Sequence, residues 1–516
     1  MRVVKGGRYM LAFGGKWEPG KEYEALTMVE SYGFSYISRK PVPKDIDISN
    51  REYWYRVSST IAQIEKLQEM LEQGTTGAGT LYSDQYDIKE SNEDNSEQLA
   101  KLFNDAILQG KQVFISKGYY VCKKEIGIKF DKDNNNKREL LIDGNLSTLC
   151  FDNCHGIRLI IDNDGSEQWH YFGKFVINNL NINGINCTNS TNTRGIIIGS
   201  TPRGFDTIPN YSQLNNVCIT GFNNGIELVN ARHIAFNNVI IRDLIGDSVS
   251  KSCITAFTGG RTEQGQNIDC FTGDLIFNDC EFVCHNVRHI FTAHAGNISS
   301  HEKWHIVAGL HFSHCILYGN HESSSALINC ESKDIRFTDI LIDGCQIDQH
   351  PNGALINAIG NGDSNTTEGE ASNLRYQYNI INCWATNLGT IINGNYLYSV
   401  NIQGCNMLEL GKVISGYYNS HININANTFT RVKGKSLING RDILINNNIF
   451  RIDKDYTDYI IDLDGVADFI MTNNLMLSHD INKSSFNTVK KTLVGGKYYV
   501  DNNIGNNAIT TFQTSI

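Results

Sequence analysis

Proline and charged residues are scarce in this chain. Of 516 residues, 6 are Pro, and charged residues make up 19% of the composition. A surface with so few ions must be covered largely by Asn, Ser, Thr and Gly, which favours β structure over helices. A run of about eighteen apolar residues is also missing, so we expect no membrane insertion.

A basic stripe is absent as well. The formal net charge is −10, and neutralising nucleic-acid phosphates needs a concentrated basic face. We therefore expect no nucleic-acid partner. The first residues, MRVVKGGRYMLAFGGKW, lack the apolar core of a secretion signal, so export by the general route is not predicted.

One short phrase recurs along the chain: an apolar residue, an Asn-like residue, a small or polar residue and an inward residue. Between 380 and 445 the phrase starts are spaced by 22, 22 and 21 residues, a period typical of solenoids. The phrase starts at Ile177, Leu214, Phe236, Phe277, Phe312, Ile342, Ile380, Ile402, Ile424, Ile445, Met471 and Val500.

A second short β-run, often flanked by glycine, lies between successive phrases, as in GTIING at 389 and GKVISG at 411. Three short strands and three turns fill about 22 residues, which predicts one rung of a parallel β-helix. Asn tolerates the left-handed backbone of a tight turn, and stacked amides can bond each other between rungs. A leucine-rich repeat is excluded because its LxxLxL spacing is absent.

The fourth position of the phrase forms a column that contains five consecutive cysteines. Stacked side chains point the same way, whereas a disulfide needs converging Cβ atoms and a thiolate metal site usually has close CxxC pairs. We interpret the column as buried free thiols rather than as a disulfide or metal site. Its members are Leu180, Val217, Val239, Cys280, Cys315, Cys345, Cys383, Cys405, Asn427, Asn448, Asn474 and Asn503.

Residues 92–122 predict a polar turn, an amphipathic helix and a strand. The apolar helix positions are Leu99, Leu102, Phe103, Ala106 and Ile107, and the strand region carries Val113, Ile115, Gly118 and Tyr120. The segment resembles the opening of the pectin-lyase-like, right-handed parallel β-helices of phage tailspikes and polysaccharide-degrading enzymes, although Ser116 stands where proline is usual. The resemblance covers roughly residues 81–505 and implies a capping helix and a homotrimer.

The first 56 residues are rich in aromatic residues and turns. They resemble the small three-stranded modules of the chitin-binding type found at the ends of phage fibres and in secreted glycosidases. In so small a module Trp17, Tyr36 and Trp54 are expected to form the core rather than a sugar platform. The module either binds sugar or docks on other virion proteins.

Residues 57–73 place Val57, Ile61, Ile64, Gln68 and Leu71 at coiled-coil spacing, and GTTGAGT at 74–80 predicts a flexible joint. The predicted organisation is a small β module (1–56), a coiled coil with a Gly/Thr linker (57–80), a capping helix with the first strands (81–150), and the parallel β-helix (151–516).

Four insertions, 200–213, 258–274, 294–309 and 359–378, all follow the second strand of their rung. Loops that emerge at one corner of stacked rungs line one side of a solenoid, where binding usually resides. The candidate catalytic residues in these insertions are Glu263, Asp269 and Glu302. The candidate glycan-binding residues are Phe205, Tyr211, Trp304, Tyr376 and Tyr378.

Aromatic faces beside carboxylates suit glycan binding, and a pair of carboxylates is the minimum for glycoside hydrolysis. A lyase would instead need a base with Arg or a cation, and Arg261 or the histidines could serve. Histidines are dense from 285 to 321; among them His314 occupies a rung corner and is interpreted as a substitute for Asn. The HEKWH stretch at 301 lacks helical support for zinc, so neither a metal nor a cofactor is expected.

Together with the resemblance to tailspikes, which implies three chains, these features predict a phage fibre or tailspike subunit in the virion, made in the host cytoplasm, that recognises host-surface polysaccharide. Depolymerisation by a glycoside hydrolase or lyase mechanism is a further possibility. Two alternatives stay open. One is a purely structural decoration fibre without glycan chemistry, and the other is a free bacterial polysaccharide lyase or hydrolase.

Overall fold

The structure, a computed structural model, describes residues 12–25, 27–31, 34–50, 52–57, 79–131, 139–162, 171–172, 174–200, 208–209, 211–246, 251–258, 262–263, 266–267, 270–295, 305–330, 335–358, 377–395, 397, 399–453, 461–466, 468–478, 489–493, 498–501 and 503–505. The chain divides into two units, Met1–Gly79 and Thr80–Ile516. No helix in the described ranges is both long and apolar enough to cross a membrane.

The first unit contains a four-stranded sheet in the order β1-β2-β3-β4. Its strands are β1 Ala12–Lys16, β2 Thr27–Ser31, β3 Phe34–Ser38 and β4 Trp54–Val57. Strands β1 and β2 run parallel, and the other two pairs run antiparallel. The sheet therefore has one strand more than the resemblance implied.

Trp54 lies in the small core of this unit. It is 2% exposed, and its ring meets the ring of Tyr23 edge-on with 5.4 Å between centroids. Trp17 and Tyr36 are half-buried and pack against the same core. The expectation that these aromatic residues serve the core of the module is confirmed, and a ligand for the module stays a prediction.

The predicted coiled-coil seam begins at Val57, which is the last residue of β4. Its other positions, Ile61, Ile64, Gln68 and Leu71, lie outside the described residues.

The second unit is built almost entirely of short strands. They are β5 Thr80–Tyr82, β6 Gln112–Phe114, β7 Tyr119–Cys122, β8 Ile126–Asp131, β9 Glu139–Asp152, β10 Ile157–Asp162, β11 Tyr171–Phe172, β12 Lys174–Ile185, β13 Arg194–Ser200, β14 Ile208–Pro209, β15 Ser212–Thr220, β16 Asn224–Val229, β17 Arg232–Asn237, β18 Ile240–Ile241, β19 Ser252–Thr258, β20 Thr262–Glu263, β21 Gln266–Asn267, β22 Cys270–Asn278, β23 Glu281–Val283, β24 His289–Ala295, β25 His305–Ser313, β26 Ile316–Tyr318, β27 Ile328–Cys330, β28 Ile335–Asp343, β29 Gln346–Asn357, β30 Gln377–Ile381, β31 Trp384–Asn393, β32 Ser399–Gln403, β33 Asn406–Asn425, β34 Thr428–Val432, β35 Ser436–Asn446, β36 Ile449–Ile452, β37 Ile461–Val466, β38 Phe469–Thr472, β39 Leu475–Ser478, β40 Val489–Leu493, β41 Tyr498–Asp501 and β42 Ile504–Gly505.

A complete rung contributes one strand segment to each of three parallel faces. In the rung that starts at 399, face A is Ser399–Gln403, face B is residues 406–410 and face C is residues 412–416. We name the connection from face A to face B corner AB, the connection from face B to face C corner BC, and the connection from face C to face A of the next rung corner CA. The phrase starts Ile380, Ile402, Ile424 and Ile445 are in register on face A, so the predicted parallel β-helix with three strands per rung is confirmed.

A helix covers the first rungs, as predicted. Helix α1, Ser96–Gln109, buries the five apolar residues assigned to its inner side, and it ends at Gly110 in the left-handed conformation with φ 63°. Before it lies a short 3-10 helix, Ser83–Tyr86. Buried Asn95 ties the helix start to the first strands, because its side-chain amide donates to the carbonyls of Lys89 at 3.0 Å and Val121 at 3.3 Å.

Corner AB explains the clustered asparagines. The third residue of the phrase has a positive φ on successive rungs, for example Asn179 at 54°, Asn216 at 53° and Asn238 at 52°. These amides also bond along the axis: Asn216 donates to Asn179 at 3.0 Å and Asn238 donates to Asn216 at 2.8 Å. His314 takes the same position with φ 54°, which agrees with its interpretation as a substitute for Asn.

The inward column at corner AB holds thiols and amides in one hydrogen-bonding role. The Cys315 thiol donates to the carbonyl of Phe277 at 3.3 Å, and the Asn448 amide donates to the carbonyl of Ile424 at 2.8 Å. In both cases the acceptor is the phrase-opening residue of the preceding rung. Every cysteine whose side chain the structure describes is a free thiol, so the interpretation of the column as buried, unpaired cysteines is confirmed.

Candidate functional site

The four predicted insertions all emerge at corner CA. They connect β13 to β15, β19 to β22, β24 to β25 and β29 to β30, and in each case the chain leaves face C and returns to face A. Most residues of these insertions lie outside the described ranges. On this side of the solenoid, the structure can therefore be described mainly at the residues that begin the strands of face A.

Five residues with a positive φ stack in register at this corner on consecutive rungs. We name them the CA row, and they are Tyr211 (φ 46°), His233 (55°), Asp274 (51°), Gly309 (69°) and Asp339 (53°). Their strand neighbours pair directly on β15, β17, β22, β25 and β28. A positive φ is unusual for a bulky residue such as Tyr, whereas His and Asp adopt it more readily, as His314 does at corner AB.

The side chains of the row contact each other along the solenoid axis. Tyr211 is 73% exposed, and its ring lies 5.5 Å from the ring of His233. Nδ1 of His233 is 3.5 Å from Oδ2 of Asp274. A ring, an imidazole and a carboxylate thus follow one another on three rungs.

The absence of a side chain at Gly309 leaves room for the carboxylate of Asp274. A Cβ at this position would lie 2.9 Å from Oδ1 of Asp274, and its φ of 69° also disfavours a side chain. Asp274 and Asp339 flank this glycine on either side. The backbones of two strands separated by one intervening strand are about 9.5 Å apart, so Asp274 and Asp339 lie on the same edge of the solenoid with one rung between them.

The pKa of Asp339 is raised above its ordinary value. Partial burial of the carboxyl is the main cause and the negative charge of Asp274 adds to it, while His311 and a hydrogen bond from Thr338 act in the opposite direction. Because the residue as a whole is exposed, solvent screens this effect. The row therefore combines a carboxyl that retains its proton to higher pH with a second carboxylate.

No protein-family model and no curated protein sequence matches the chain. Among solved structures, the chain is similar to PfbA, a surface adhesin of Streptococcus pneumoniae, with 13% identity and a TM-score of 0.41 over 83% of this chain and 92% of that chain. It is similar to tailspike protein 3 of bacteriophage CBA120, with 10% identity and a TM-score of 0.32 over 97% of this chain and 79% of that chain. A tailspike protein of Acinetobacter baumannii bacteriophage Fri1, a capsular polysaccharide depolymerase, has 10% identity and a TM-score of 0.35 over 98% of this chain and 76% of that chain. These likenesses carry no argument about function.

The CA row includes one predicted glycan-binding residue, Tyr211. Of the predicted catalytic residues, Glu263 lies in β20, where it pairs with Gln266 of β21, and its side chain is outside the described set. Five further candidates lie outside the described residues: Phe205, Asp269, Glu302, Trp304 and Tyr376. Their roles stay predictions.

The assignment of Tyr378 to the glycan-binding surface is wrong. Its side chain is fully buried and its hydroxyl donates to the backbone carbonyl of Phe337. Tyr378 belongs to β30, two residues before the inward-facing Ile380. Side chains two apart on a strand share a face, so the ring enters the core.

His233, Gly309 and Asp339 were not singled out by the sequence. All members of the row lie three residues before a phrase start, for example Asp274 before Phe277, and this fixed offset is the signal that could have found them. His421 and Asp442 also lie three residues before a phrase start, and they have φ values of 45° and 51°. The distance between Nδ1 of His421 and Oδ2 of Asp442 is 3.1 Å. Within the described residues, no cluster of three His, Cys, Asp or Glu side chains could hold a metal ion.

Proposed function

We propose that this chain is a homotrimeric phage fibre or tailspike subunit that recognises host-surface polysaccharide along the CA row. One observation carries the proposal: the exposed ring of Tyr211 continues into His233, Asp274 and Asp339 at the corner where the insertions emerge. An aromatic ring packs on the apolar face of a sugar, and imidazole and carboxylate groups bond its hydroxyls.

The support beneath the row suits recognition of an extended ligand. His233, Asp274, Gly309 and Asp339 each lie between two strand residues that pair with an adjacent rung, as Asp274 does between Gly273 and Leu275, and Tyr211 directly precedes the paired Ser212. Sites built on paired strands keep their geometry better than sites on loops. Rungs repeat every 4.8 Å or so, and a polymer chain lying along the axis would meet one member after another.

Binding of purified capsular polysaccharides to wild-type protein and to Tyr211→Ala tests this proposal. Loss of the exposed ring is expected to weaken binding about tenfold, which is roughly 1.4 kcal/mol. Tyr499→Ala is the matched control, since Tyr499 is 56% exposed on β41 and lies outside the row. Equal binding by all three proteins would contradict the CA row as the site, and no binding at all would favour a purely structural decoration fibre.

A second candidate function is hydrolysis of the bound polysaccharide. The observation that favours it is the pair of Asp339, with its raised pKa, and Asp274 across Gly309. Asp339 would protonate the leaving oxygen and Asp274 would activate water from the opposite side. Carboxyls about 6.5–9.5 Å apart leave room for that water and give inversion at the anomeric carbon.

New reducing ends released from the polysaccharide measure this activity. Asp339→Asn and Asp274→Asn are each expected to lower the rate about a hundredfold or more. Asp279→Asn is the matched control because Asp279 is an exposed aspartate with φ 53° at corner AB. Unchanged cleavage in both row variants would exclude this acid pair, and unsaturated ends would indicate a lyase instead.

The assembly and location are part of the same proposal. Three chains would present three identical rows, so weak contacts would multiply through avidity, and the N-terminal module would attach to other virion proteins or bind sugar. The mass in solution tests this directly, with three times the chain's 57.8 kDa expected. A monomer that cleaves polysaccharide would favour a free bacterial enzyme.

A further inference from the structure

A cavity lies at corner BC, on a different edge of the solenoid from the CA row. Its volume is about 650 Å³, and it extends from the rung of Asn189 to the rung of Gln349. Between these ends it is lined by His285, His321 and Glu322. We name this cavity the BC groove.

Four polar side chains that line the BC groove lack hydrogen-bond partners among the described residues. The side chains of His285, His321, Glu322 and Gln349 make no hydrogen bond or ion pair with any other residue that the structure describes. By contrast, the outward amides at corner AB bond one another from rung to rung, as Asn238 does with Asn216. Unpaired polar groups that converge on one cavity are available to a ligand.

A buried histidine holds the C-terminal part of the groove in place. His350 is fully buried, and its Nε2 donates to the Ser325 carbonyl at 2.5 Å, while its Nδ1 accepts from the backbone N–H of Asn320 at 3.3 Å. This tautomer satisfies both ring nitrogens. Asn320 in turn accepts a hydrogen bond from the backbone N–H of Glu322 at 2.9 Å. The segment that carries His321 and Glu322 is therefore fixed on both sides.

A buried asparagine fixes the other end. The side-chain amide of Asn223 donates to the carbonyls of Thr188 at 2.9 Å and Ile245 at 2.7 Å, and its oxygen accepts from the backbone N–H of Thr193 at 3.0 Å. These bonds hold the two segments that bring Asn189 and Gly246 to the groove. The cavity is thus formed before any ligand arrives.

The lining selects a class of ligand. Amides, imidazoles and one carboxylate offer donors and acceptors to hydroxyl groups, and neither Lys nor Arg is among the lining residues. Glu322 would repel phosphate, sulfate and uronate groups, and a lining without large apolar side chains gives no place for a lipid tail. We propose that the BC groove is a second saccharide site, specific for an uncharged, hydroxyl-rich segment of a glycan. It goes beyond the proposed function because it uses no residue of the CA row.

Ligand-detected NMR on the full-length protein tests the site with four neutral probes: glucose, galactose, mannose and N-acetylglucosamine. The Tyr211→Ala variant serves as background, so binding along the CA row is weakened while the BC groove is intact. At least one neutral sugar is expected to bind this variant. Adding Glu322→Ala or His321→Ala is expected to weaken that binding about threefold to tenfold, since each removes one or two hydrogen bonds.

Glu139→Ala is the matched control, because Glu139 is an exposed glutamate at the start of β9 and should leave sugar binding unchanged. Glucuronate is the charged counterpart and is expected to bind more weakly than glucose. The inference is overturned if no neutral sugar binds in the Tyr211→Ala background, if the groove variants bind as well as their parent, or if glucuronate binds best. A difference between wild type and Tyr211→Ala reports separately on the CA row.

Discussion

The side-chain oxygen of Asn448 accepts two hydrogen bonds from Asn427, one from its backbone N–H and one from its side-chain amide, both at 3.0 Å. The amide of Asn448 then donates to the carbonyl of Ile424 at 2.8 Å and to the side chain of Asn474 at 3.0 Å. Asn448 itself is fully buried. One side chain thus joins three rungs inside the core.

Asn448→Leu is expected to destabilise the solenoid strongly. The substitution removes the partner of the backbone N–H and side-chain amide of Asn427 and of the carbonyl of Ile424. Each buried polar group that loses its hydrogen bond costs about 1–3 kcal/mol of unfolding free energy. Thermal and urea unfolding followed by circular dichroism measure the loss. Asn448→Cys is expected to lose less, because thiols donate to the equivalent carbonyls at Cys315 and Cys345. Equal stability of the Leu variant and wild type would contradict this role for the column.

Ala426→Gly is expected to stabilise the protein by about 1 kcal/mol. Ala426 has φ 56° at corner AB, where the adjacent rungs carry Gly404 and Asn447, and a left-handed backbone costs a residue with a Cβ roughly 1–2 kcal/mol. The unfolding midpoint measures the gain. Ala385→Gly is the control: Ala385 is a buried strand residue without a positive φ, so the same exchange should destabilise there.

Gly353→Ala is expected to destabilise corner BC. A Cβ at this position would lie 2.0 Å from the Ser325 carbonyl oxygen and 2.1 Å from Nε2 of His350, and such overpacking typically costs about 1–3 kcal/mol. Gly127→Ala is the matched control because its Cβ would meet nothing within 4 Å. Unfolding and sugar binding at the BC groove should both deteriorate in the first variant only. A fully stable Gly353→Ala protein with normal binding would show that His350 does not support the groove.

Stability is expected to fall as the pH drops below about 6.5, the ordinary pKa of histidine. Burial lowers the pKa of His350, and the carbonyls of Ser325 and Asn320 only partly oppose this. Between the lowered folded pKa and 6.5, the unfolded chain binds a proton that the folded chain does not, so unfolding becomes easier with falling pH. Above that window His350 contributes no pH dependence.

His350→Gln is expected to flatten this pH dependence of the unfolding free energy. An identical slope in wild type and His350→Gln between pH 5 and 7 would contradict the assignment.

The thiols are expected to react slowly with iodoacetamide in the native protein. Cys154 and Cys218 are the two described cysteines that are not buried, and burial together with nearby negative charge raises the pKa of Cys154 to about 11. At pH 8 only a small fraction of this thiol is the reactive thiolate. Mass spectrometry should show slow labelling at these two sites, none in the inward column, and labelling of all 14 cysteines after denaturation. Rapid native labelling of Cys345 would contradict its burial.

The fold could be predicted because its causes are local and repeated. The spacing of phrase starts gives the rung, and Asn at positions such as 179 and 216 indicates a left-handed corner, because Asn adopts a positive φ more readily than most residues that carry a Cβ. The cap could be predicted because Leu99, Leu102 and Phe103 follow helical periodicity. Each of these signals lies within one rung of sequence.

The candidate site could be predicted only in part. The corner from which the insertions emerge followed from their order in the rung, but His233 and Asp339 lie outside the obvious loop residues. Tyr378 was misplaced because the insertion was extended two residues too far, into a strand whose alternation already assigns that position to the core. The BC groove depends on side chains from distant rungs, such as Asn189 and Gln349, which only the stacking of the rungs brings together.

Cys405 and Asn427 occupy the same column position on neighbouring rungs, and this has an evolutionary consequence. The backbone N–H of Cys405 donates to the side-chain oxygen of Asn427 at 2.9 Å. A rung with Cys in the column therefore bonds directly to a rung with Asn in the column. Duplicating or deleting one whole repeat at this point would therefore preserve this type of hydrogen bond between the column residues. Gene duplication can thus lengthen the solenoid while the hydrogen bonding of the column stays the same at the new junction.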